Sequence, residues 1–198
     1  MSGLRIVWRP PIRRGDLSIE KPNSLRALVI DGEFGQSLAI SVSEIREALA
    51  TGAIIHGAAS MGALRAVECE VLGMVGHGWV FEQYKRGTTE SDSDVALLFD
   101  PLSGEPATIP QINVKYLIEC GPLSVLSDDL KRFLGSKSDL IHYSDRVPEK
   151  LASVWSQIVD EALWANIGPL LLAPEKRNLW DRKRMDAFEA VRAIGALR

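Results

Sequence analysis

The residues with the clearest capacity for chemistry form a turn of small side chains that contains one serine. The segment Gly57-Ala58-Ala59-Ser60-Met61-Gly62 follows the apolar run Ala53-Ile54-Ile55-His56. Small residues let the backbone turn sharply and let a neighbouring segment approach closely. Ser60 is therefore expected at the first turn of a helix, where backbone N–H groups lack internal partners and carry partial positive charge. An oxyanion that forms beside the Ser60 hydroxyl would meet these donors, as in nucleophilic catalysis by serine.

Two interpretations of Ser60 without catalysis stay open at this point. Serine is a common helix N-cap, and the same helix end could hold an anion without reacting with it. Arg65 favours a functional site, because a charged residue inside a small, apolar helix needs a partner.

A serine nucleophile needs a base, and the sequence offers several candidates. The three histidines, His56, His77 and His142, show no spacing that indicates a Ser-His-Asp triad. Lysine can serve as a base when its pKa is depressed, and Lys115 lies among apolar residues after a proline-rich loop. The alternative for Lys115 is a surface lysine whose alkyl stem covers apolar neighbours.

The segments around the serine turn predict an α/β fold. Residues 26–31 and 53–57 are apolar runs bounded by turn formers, which is typical of buried strands. Ser41-Val42-Ser43-Glu44 matches a capping box at the start of a helix that ends near Gly52, and residues 61–72 predict a second helix. This alternation predicts a small, mostly parallel sheet flanked by helices.

The rest of the chain predicts mainly helix. We expect a short strand at Ile6-Val7-Trp8, a tight connection over 73–78, and helices over 79–87 and 112–120. Glycines and prolines separate further helices in the last third. The predicted organisation is an α/β core at 1–122 and a helical C-terminal portion at 123–198, packed on the core as one domain.

Composition restricts the classes of partner. The 198 residues carry a net charge of −3, which argues against nucleic acid as the main ligand. The two cysteines form no CxxC or metal-ligand pattern, and no apolar run approaches the roughly 20 residues that span a membrane. We therefore expect a cytoplasmic protein with no metal, no cofactor and no membrane or nucleic-acid partner.

The run from Ile30 to about Lys115 resembles the core of the TfuA-like family. The string Gly57-Ala58-Ala59-Ser60-Met61-Gly62-Ala63-Leu64-Arg65-Ala66 is the most specific part of the resemblance. The other matching pieces are Ile30-Asp31-Gly32, Glu68, Gly73-Met74-Val75-Gly76, Gly87, Asp92, Asp94-Val95-Ala96, Pro110 and Asn113-Val114-Lys115.

This resemblance implies an accessory role in the thioamidation of peptide backbones. TfuA-like proteins act beside a YcaO enzyme, which activates a peptide amide with ATP. The resemblance further implies that the protein resembles a hydrolase, releases sulfur from a thiocarboxylated, ubiquitin-like carrier of the ThiS type, and promotes substrate binding by the YcaO enzyme.

The site residues that the resemblance implies include two departures from the family pattern, one of which is Lys115, at a position where many relatives have an arginine. Ser60 matches the serine of a serine–lysine pair, but Ser43 stands where relatives often carry a lysine. Lys115 is then the candidate base, assisted by Arg65. The expected substrate-binding residues are Asp31, at the C-terminal end of a strand, together with Gly57, Ala59, Met61, Gly62 and Asn113. The alternative, which Ser43 favours, is a non-catalytic YcaO-binding module that has lost the hydrolytic step.

Overall fold

The computed structural model describes residues 6–18, 25–33 and 38–196, and the chain divides into two compact units. The first unit comprises Met1–Glu90 together with Lys183–Arg198, and the second comprises Ser91–Arg182. This division falls after residue 90, whereas the sequence predicts a boundary after residue 122. The final helix belongs almost entirely to the first unit, although about ninety residues of chain separate it from that unit's other elements.

The first unit is built on a parallel sheet of three strands in the order β1-β2-β3. These strands are β1 (Arg26–Val29), β2 (Ile54–Ala58) and β3 (Val75–His77). The eight α-helices of the described residues are α1 (Val42–Ala50), α2 (Met61–Glu68), α3 (Gly78–Lys85), α4 (Gln111–Glu119), α5 (Asp128–Asp139), α6 (Pro148–Trp155), α7 (Glu161–Leu172) and α8 (Arg182–Ala196). Strands alternate with α1 and α2, and the last third is helical, so the predicted α/β class is confirmed.

Helices cover both faces of this sheet. Successive strand residues point to opposite faces. Gly57 packs against the first turn of α2, whereas the next residue, Ala58, packs in an apolar cluster with Ala190 of α8. The helices α2 and α8 therefore lie on opposite faces of β2.

Local sequence signals explain the helix that precedes β2. The Ser41 hydroxyl accepts from the Glu44 N–H at 3.2 Å, and the Glu44 carboxylate accepts from the Ser41 N–H at 3.3 Å. This capping box is the one that the sequence predicts. The same carboxylate accepts from the Gly15 N–H at 2.5 Å, which ties the N-terminal segment to α1.

Three local predictions differ from the structure. The helix predicted over 61–72 ends at Glu68, and a 3-10 turn at Glu70–Leu72 follows it. The tight connection predicted over 73–78 contains strand β3, which is too short for a periodic pattern to reveal. Ile6-Val7-Trp8 forms no strand, and these three side chains are exposed, so no apolar burial favours pairing there.

A carboxylate from α8 caps the start of α3. Asp186 is fully buried and accepts from the N–H groups of Trp79 at 3.0 Å and Val80 at 2.7 Å. Gly78 has a left-handed φ of 92°, and a Cβ atom there would overlap this carboxylate. The negative charge satisfies two helix donors that have no internal partner, which fixes α8 to the end of β3.

The second unit has its own apolar core. The buried indole rings of Trp155 and Trp180 and the side chains of Leu134, Leu151 and Ile167 contribute to it. Arg146 is buried beside this core and donates to the backbone carbonyl oxygens of residues 109, 138 and 141. Across the described residues, no helix combines the length and the hydropathy that a membrane span requires.

We predict that Gly62→Ala destabilises the protein severely. A Cβ atom at Gly62 would overlap the backbone carbonyl oxygen of Val29, and neither backbone segment can move without disrupting the sheet. The expected loss is about 3 kcal/mol of unfolding free energy or more, measured by chemical denaturation. Gly195→Ala in α8 is the control, because nothing lies within 4 Å of its Cβ position. Equal stability of the two variants would contradict this packing.

Candidate functional site

The turn between β2 and α2 brings Ser60 to the carboxyl end of the sheet. Gly57 and Ala58 end β2, and Met61 begins α2, so only Ala59 and Ser60 make the reversal. A Cβ atom at Gly57 would overlap the carbonyl oxygen of Gly62. Glycine at both positions thus allows the first turn of α2 to contact the strand backbone directly.

Ala59 adopts a backbone conformation that alanine rarely takes. Its φ is 68°, and it is the one non-glycine residue with positive φ in the described part of the chain. The left-handed region costs an alanine about 1 kcal/mol or more, so the surrounding packing must impose it. Its side chain is buried with Ala58 and Ala190, which supplies that packing. The next residue, Ser60, is then directed towards the protein interior, where it is buried.

The Ser60 hydroxyl is fully buried and has no hydrogen-bond partner among the described residues. Ser60 occupies the N-cap position of α2, yet its side chain makes no capping hydrogen bond. The simple capping interpretation is therefore wrong for the hydroxyl, because a capping serine would accept from the second or third N–H of the helix. A buried hydroxyl without a partner costs free energy, and such groups are uncommon in folded proteins.

The backbone donors at the start of α2 are largely committed to the sheet. The Ser60 N–H donates to the carbonyl oxygens of Ala58 at 2.8 Å and Ile30 at 3.2 Å. The Gly62 N–H also points at the Ile30 oxygen, at 3.4 Å. Only the intervening Met61 N–H lacks an acceptor within the described ranges. The start of α2 therefore offers an incoming anion one N–H group that is free to donate, whereas the sequence predicts several such groups.

Arg65 and Asp31 both make hydrogen bonds to other residues of the protein near this turn. The Arg65 guanidinium donates to the Ile40 carbonyl oxygen at 2.8 Å and pairs with Glu68 at 2.5 Å. The expectation that Arg65 needs a partner is confirmed. Asp31 follows β1, and its carboxylate accepts from the Gly32 N–H at 3.0 Å. The residues predicted in this unit therefore occupy one end of its sheet, apart from Arg65, which holds the segment before α1 to α2.

Lys115 and Asn113 belong to the second unit, on α4. The Lys115 ammonium pairs with the Asp94 carboxylate at 2.8 Å, so it is no isolated surface lysine. Burial raises the pKa of the nearby Asp139 carboxyl, while Lys115 acts in the opposite direction. The Asn113 side-chain amide donates to Asp181 at 2.9 Å. Both predicted residues thus have polar partners within their own unit.

A pair of histidines, which the sequence analysis does not connect, lies on β2 and β3. His56 Nδ1 and His77 Nε2 are 2.8 Å apart. Burial, the neighbouring His77 and the Arg26 guanidinium lower the pKa of His56, and burial lowers the pKa of His77. The parallel register places Val75 opposite His56 and His77 opposite Ala58, so both rings face the same side. Only this register reveals the pair.

The family comparison covers the residues around Ser60. The model of the TfuA-like protein family matches residues 31–147, which is more than half of the chain. The chain belongs to the TfuA-like family. The match includes the whole Ser60 turn as well as α4, and it extends beyond the run on which the sequence resemblance rests. The sequence matches no curated protein.

Membership of the TfuA-like family is consistent with an accessory role beside a YcaO enzyme, because this family is generally associated with YcaO partners. Ser43 is exposed on α1. The sequence predicts the serine turn but not two features of this TfuA-like site, namely the cap that Asp186 provides and the left-handed conformation of Ala59. Asp186 lies far away in sequence from the helix that it caps, and an alanine gives no signal that its φ will be positive.

We predict that the histidine pair makes the protein less stable as the pH falls below about 6.5, the ordinary pKa of histidine. Both folded-state pKa values are lowered, so the unfolded state binds protons first. The stability contributed by the neutral pair is complete above pH 6.5 and is lost as the pH falls through the folded pKa values. His77→Gln should flatten the dependence of unfolding free energy on pH between about 5 and 7. The exposed His142→Gln is the control, and identical slopes for both variants would refute the assignment.

We also predict that Ser60→Ala leaves stability unchanged or raises it. The substitution removes a buried hydroxyl that has no partner, so no hydrogen bond is lost. Ser41→Ala is the matched control, because it deletes a real capping bond and should cost about 1 kcal/mol. Denaturant titration of both variants checks this. A loss of 1 kcal/mol or more for Ser60→Ala would show that the hydroxyl is bonded in solution.

Proposed function

We propose that this TfuA-like protein releases sulfide from a thiocarboxylated, ubiquitin-like carrier of the ThiS type, with Ser60 as nucleophile, and promotes substrate binding by its YcaO partner. The observation that carries the proposal is the Ser60 hydroxyl, which is buried without a hydrogen-bond partner among the described residues. A structural serine would use its hydroxyl to cap the helix or to bond a carbonyl. A nucleophilic serine must keep its oxygen available for the reacting carbon.

The proposed reaction is acyl transfer. The Ser60 oxygen attacks the thiocarboxylate carbonyl carbon, sulfide leaves, and an ester to the carrier forms. Water then hydrolyses this ester and restores the hydroxyl. The Met61 N–H is the donor best placed for the oxyanion, because the Ser60 and Gly62 N–H groups already donate to Ile30. Since Ser60 is fully buried, a covering segment must move before a carrier terminus can reach it.

The proposed base is Lys115, which takes the lysine role of the family serine–lysine pair. Its ammonium is held by Asp94, so it must leave this carboxylate to accept a proton. Arg65 holds α2 through Ile40 and Glu68, and we assign it a positioning role within the same proposal. The further proposed substrate contacts are Asp31, Gly57, Ala59, Met61, Gly62 and Asn113.

A second function has specific support. The closed position of Ser60 and the presence of Ser43 favour a non-catalytic module that binds the YcaO enzyme and has lost hydrolysis. The two proposals differ in one measurable product, because only the first releases sulfide from a thiocarboxylated carrier.

The test compares sulfide release from a thiocarboxylated ThiS-type carrier by the wild type, Ser60→Ala and Ser41→Ala. We expect release by the wild type and by Ser41→Ala, and none by Ser60→Ala, whose fold should be intact. Lys115→Met should also abolish release, whereas Lys150→Met, at an exposed lysine of α6, should not. Full activity of Ser60→Ala would end the nucleophile proposal. No release by the wild type, with YcaO binding preserved, would establish the accessory module.

A further inference from the structure

The histidine pair on β2 and β3 has the geometry of a metal site. His56 Nδ1 and His77 Nε2 converge to 2.8 Å, and the two ring centroids are 5.0 Å apart. Each ring stands on a strand whose backbone is fixed by the parallel register, so the sheet holds the two histidine backbones side by side. The pair has no part in the proposed chemistry of Ser60.

The protonation state of the rings suits metal binding. Burial lowers the pKa of both rings, which keeps them neutral near pH 7. A neutral imidazole has one N–H and one lone pair, and it is the neutral ring that ligates metals. With the proton of His56 on Nε2 and that of His77 on Nδ1, both converging nitrogens carry lone pairs. In these tautomers a metal ion replaces the hydrogen bond between the two rings, and no proton needs to leave the pair.

The spacing fits a tetrahedral ion with a small adjustment. Two bonds of 2.0–2.1 Å at a tetrahedral angle place their nitrogens roughly 3.3 Å apart. The rings would therefore need to separate by about half an ångström, which side-chain rotation supplies. His56 is 8% exposed and His77 is partly exposed, so an ion can enter from the His77 side.

We propose that His56 and His77 form a two-histidine site for a late first-row divalent ion such as Zn²⁺. No group of three or more His, Cys, Asp and Glu side chains is placed to hold a metal within the described ranges, so water would fill the other positions. Such a site binds an exchangeable ion, unlike a structural zinc site with four protein ligands. The two nitrogen ligands disfavour Mg²⁺, which prefers oxygen ligands. A bound ion would join β2 to β3 just before the Ser60 turn.

The experiment is a calorimetric titration of the tag-free, chelator-treated full chain with Zn²⁺, with Mg²⁺ as the control ion. We expect one Zn²⁺ per chain for the wild type and for His142→Gln, and at least tenfold weaker binding for His77→Gln and His56→Gln. Zn²⁺ should also raise the melting temperature of the wild type but not that of His77→Gln. No measurement of sulfide release enters this test, so its outcome is independent of the proposed hydrolysis.

Two results would overturn the site. One is wild-type protein that binds no Zn²⁺, and the other is unchanged binding in a folded His77→Gln variant. Because His56 is buried, His56→Gln could fail to fold, which circular dichroism would detect. Nuclear magnetic resonance of the wild-type imidazole nitrogens then provides the second measurement. Zn²⁺ should shift both the His56 and His77 resonances, and shifts confined to His142 would contradict the proposal.

Discussion

The first turn of α2 lies against β1 and β2 with no side chain between the two backbones. Gly57 contacts the Gly62 carbonyl, and Gly62 contacts the Val29 carbonyl. This approach lets the Ser60 and Gly62 N–H groups reach the Ile30 oxygen, which joins the helix start to the neighbouring strand. The chain must then reverse within two residues, and Ala59 takes the left-handed conformation that this reversal requires. The burial of the Ser60 hydroxyl follows from the same contact.

A second contact fixes the other end of the first unit. Asp186 on α8 satisfies the start of α3, and Gly78 leaves the space that its carboxylate occupies. Without this carboxylate, the N–H groups of Trp79 and Val80 would lose it as an acceptor. The helix α8 also supplies Ala190, which packs on Ala58 and Ala59. The last helix of the chain therefore helps to hold the serine turn, although it lies outside the residues that the family model matches.

The contacts that stabilise the serine turn also restrict the access of a substrate to the Ser60 hydroxyl. A hydroxyl that is fully buried is protected from water, but it is also closed to a carrier. The α2 start gains stability by donating to Ile30, and the same bonds reduce the donors available to an oxyanion. Family membership is consistent with work beside a YcaO enzyme, whereas the proposed hydrolysis requires this closed turn to open.

The sequence by itself determined the elements whose signals are local. The capping box of Ser41 and Glu44 and the small residues around Ser60 each act within a few positions, so the helix start, the serine turn and the α/β class were predictable. Tertiary structure decided what depends on contacts between distant residues. The left-handed Ala59 packs with Ala190 of α8, which is distant in sequence, and the two histidines meet only through the register of β2 and β3. Lys115 is paired with Asp94, twenty-one residues away, through the fold of the second unit. Residue types set which groups can bond, but only the folded chain sets which groups are close enough to do so.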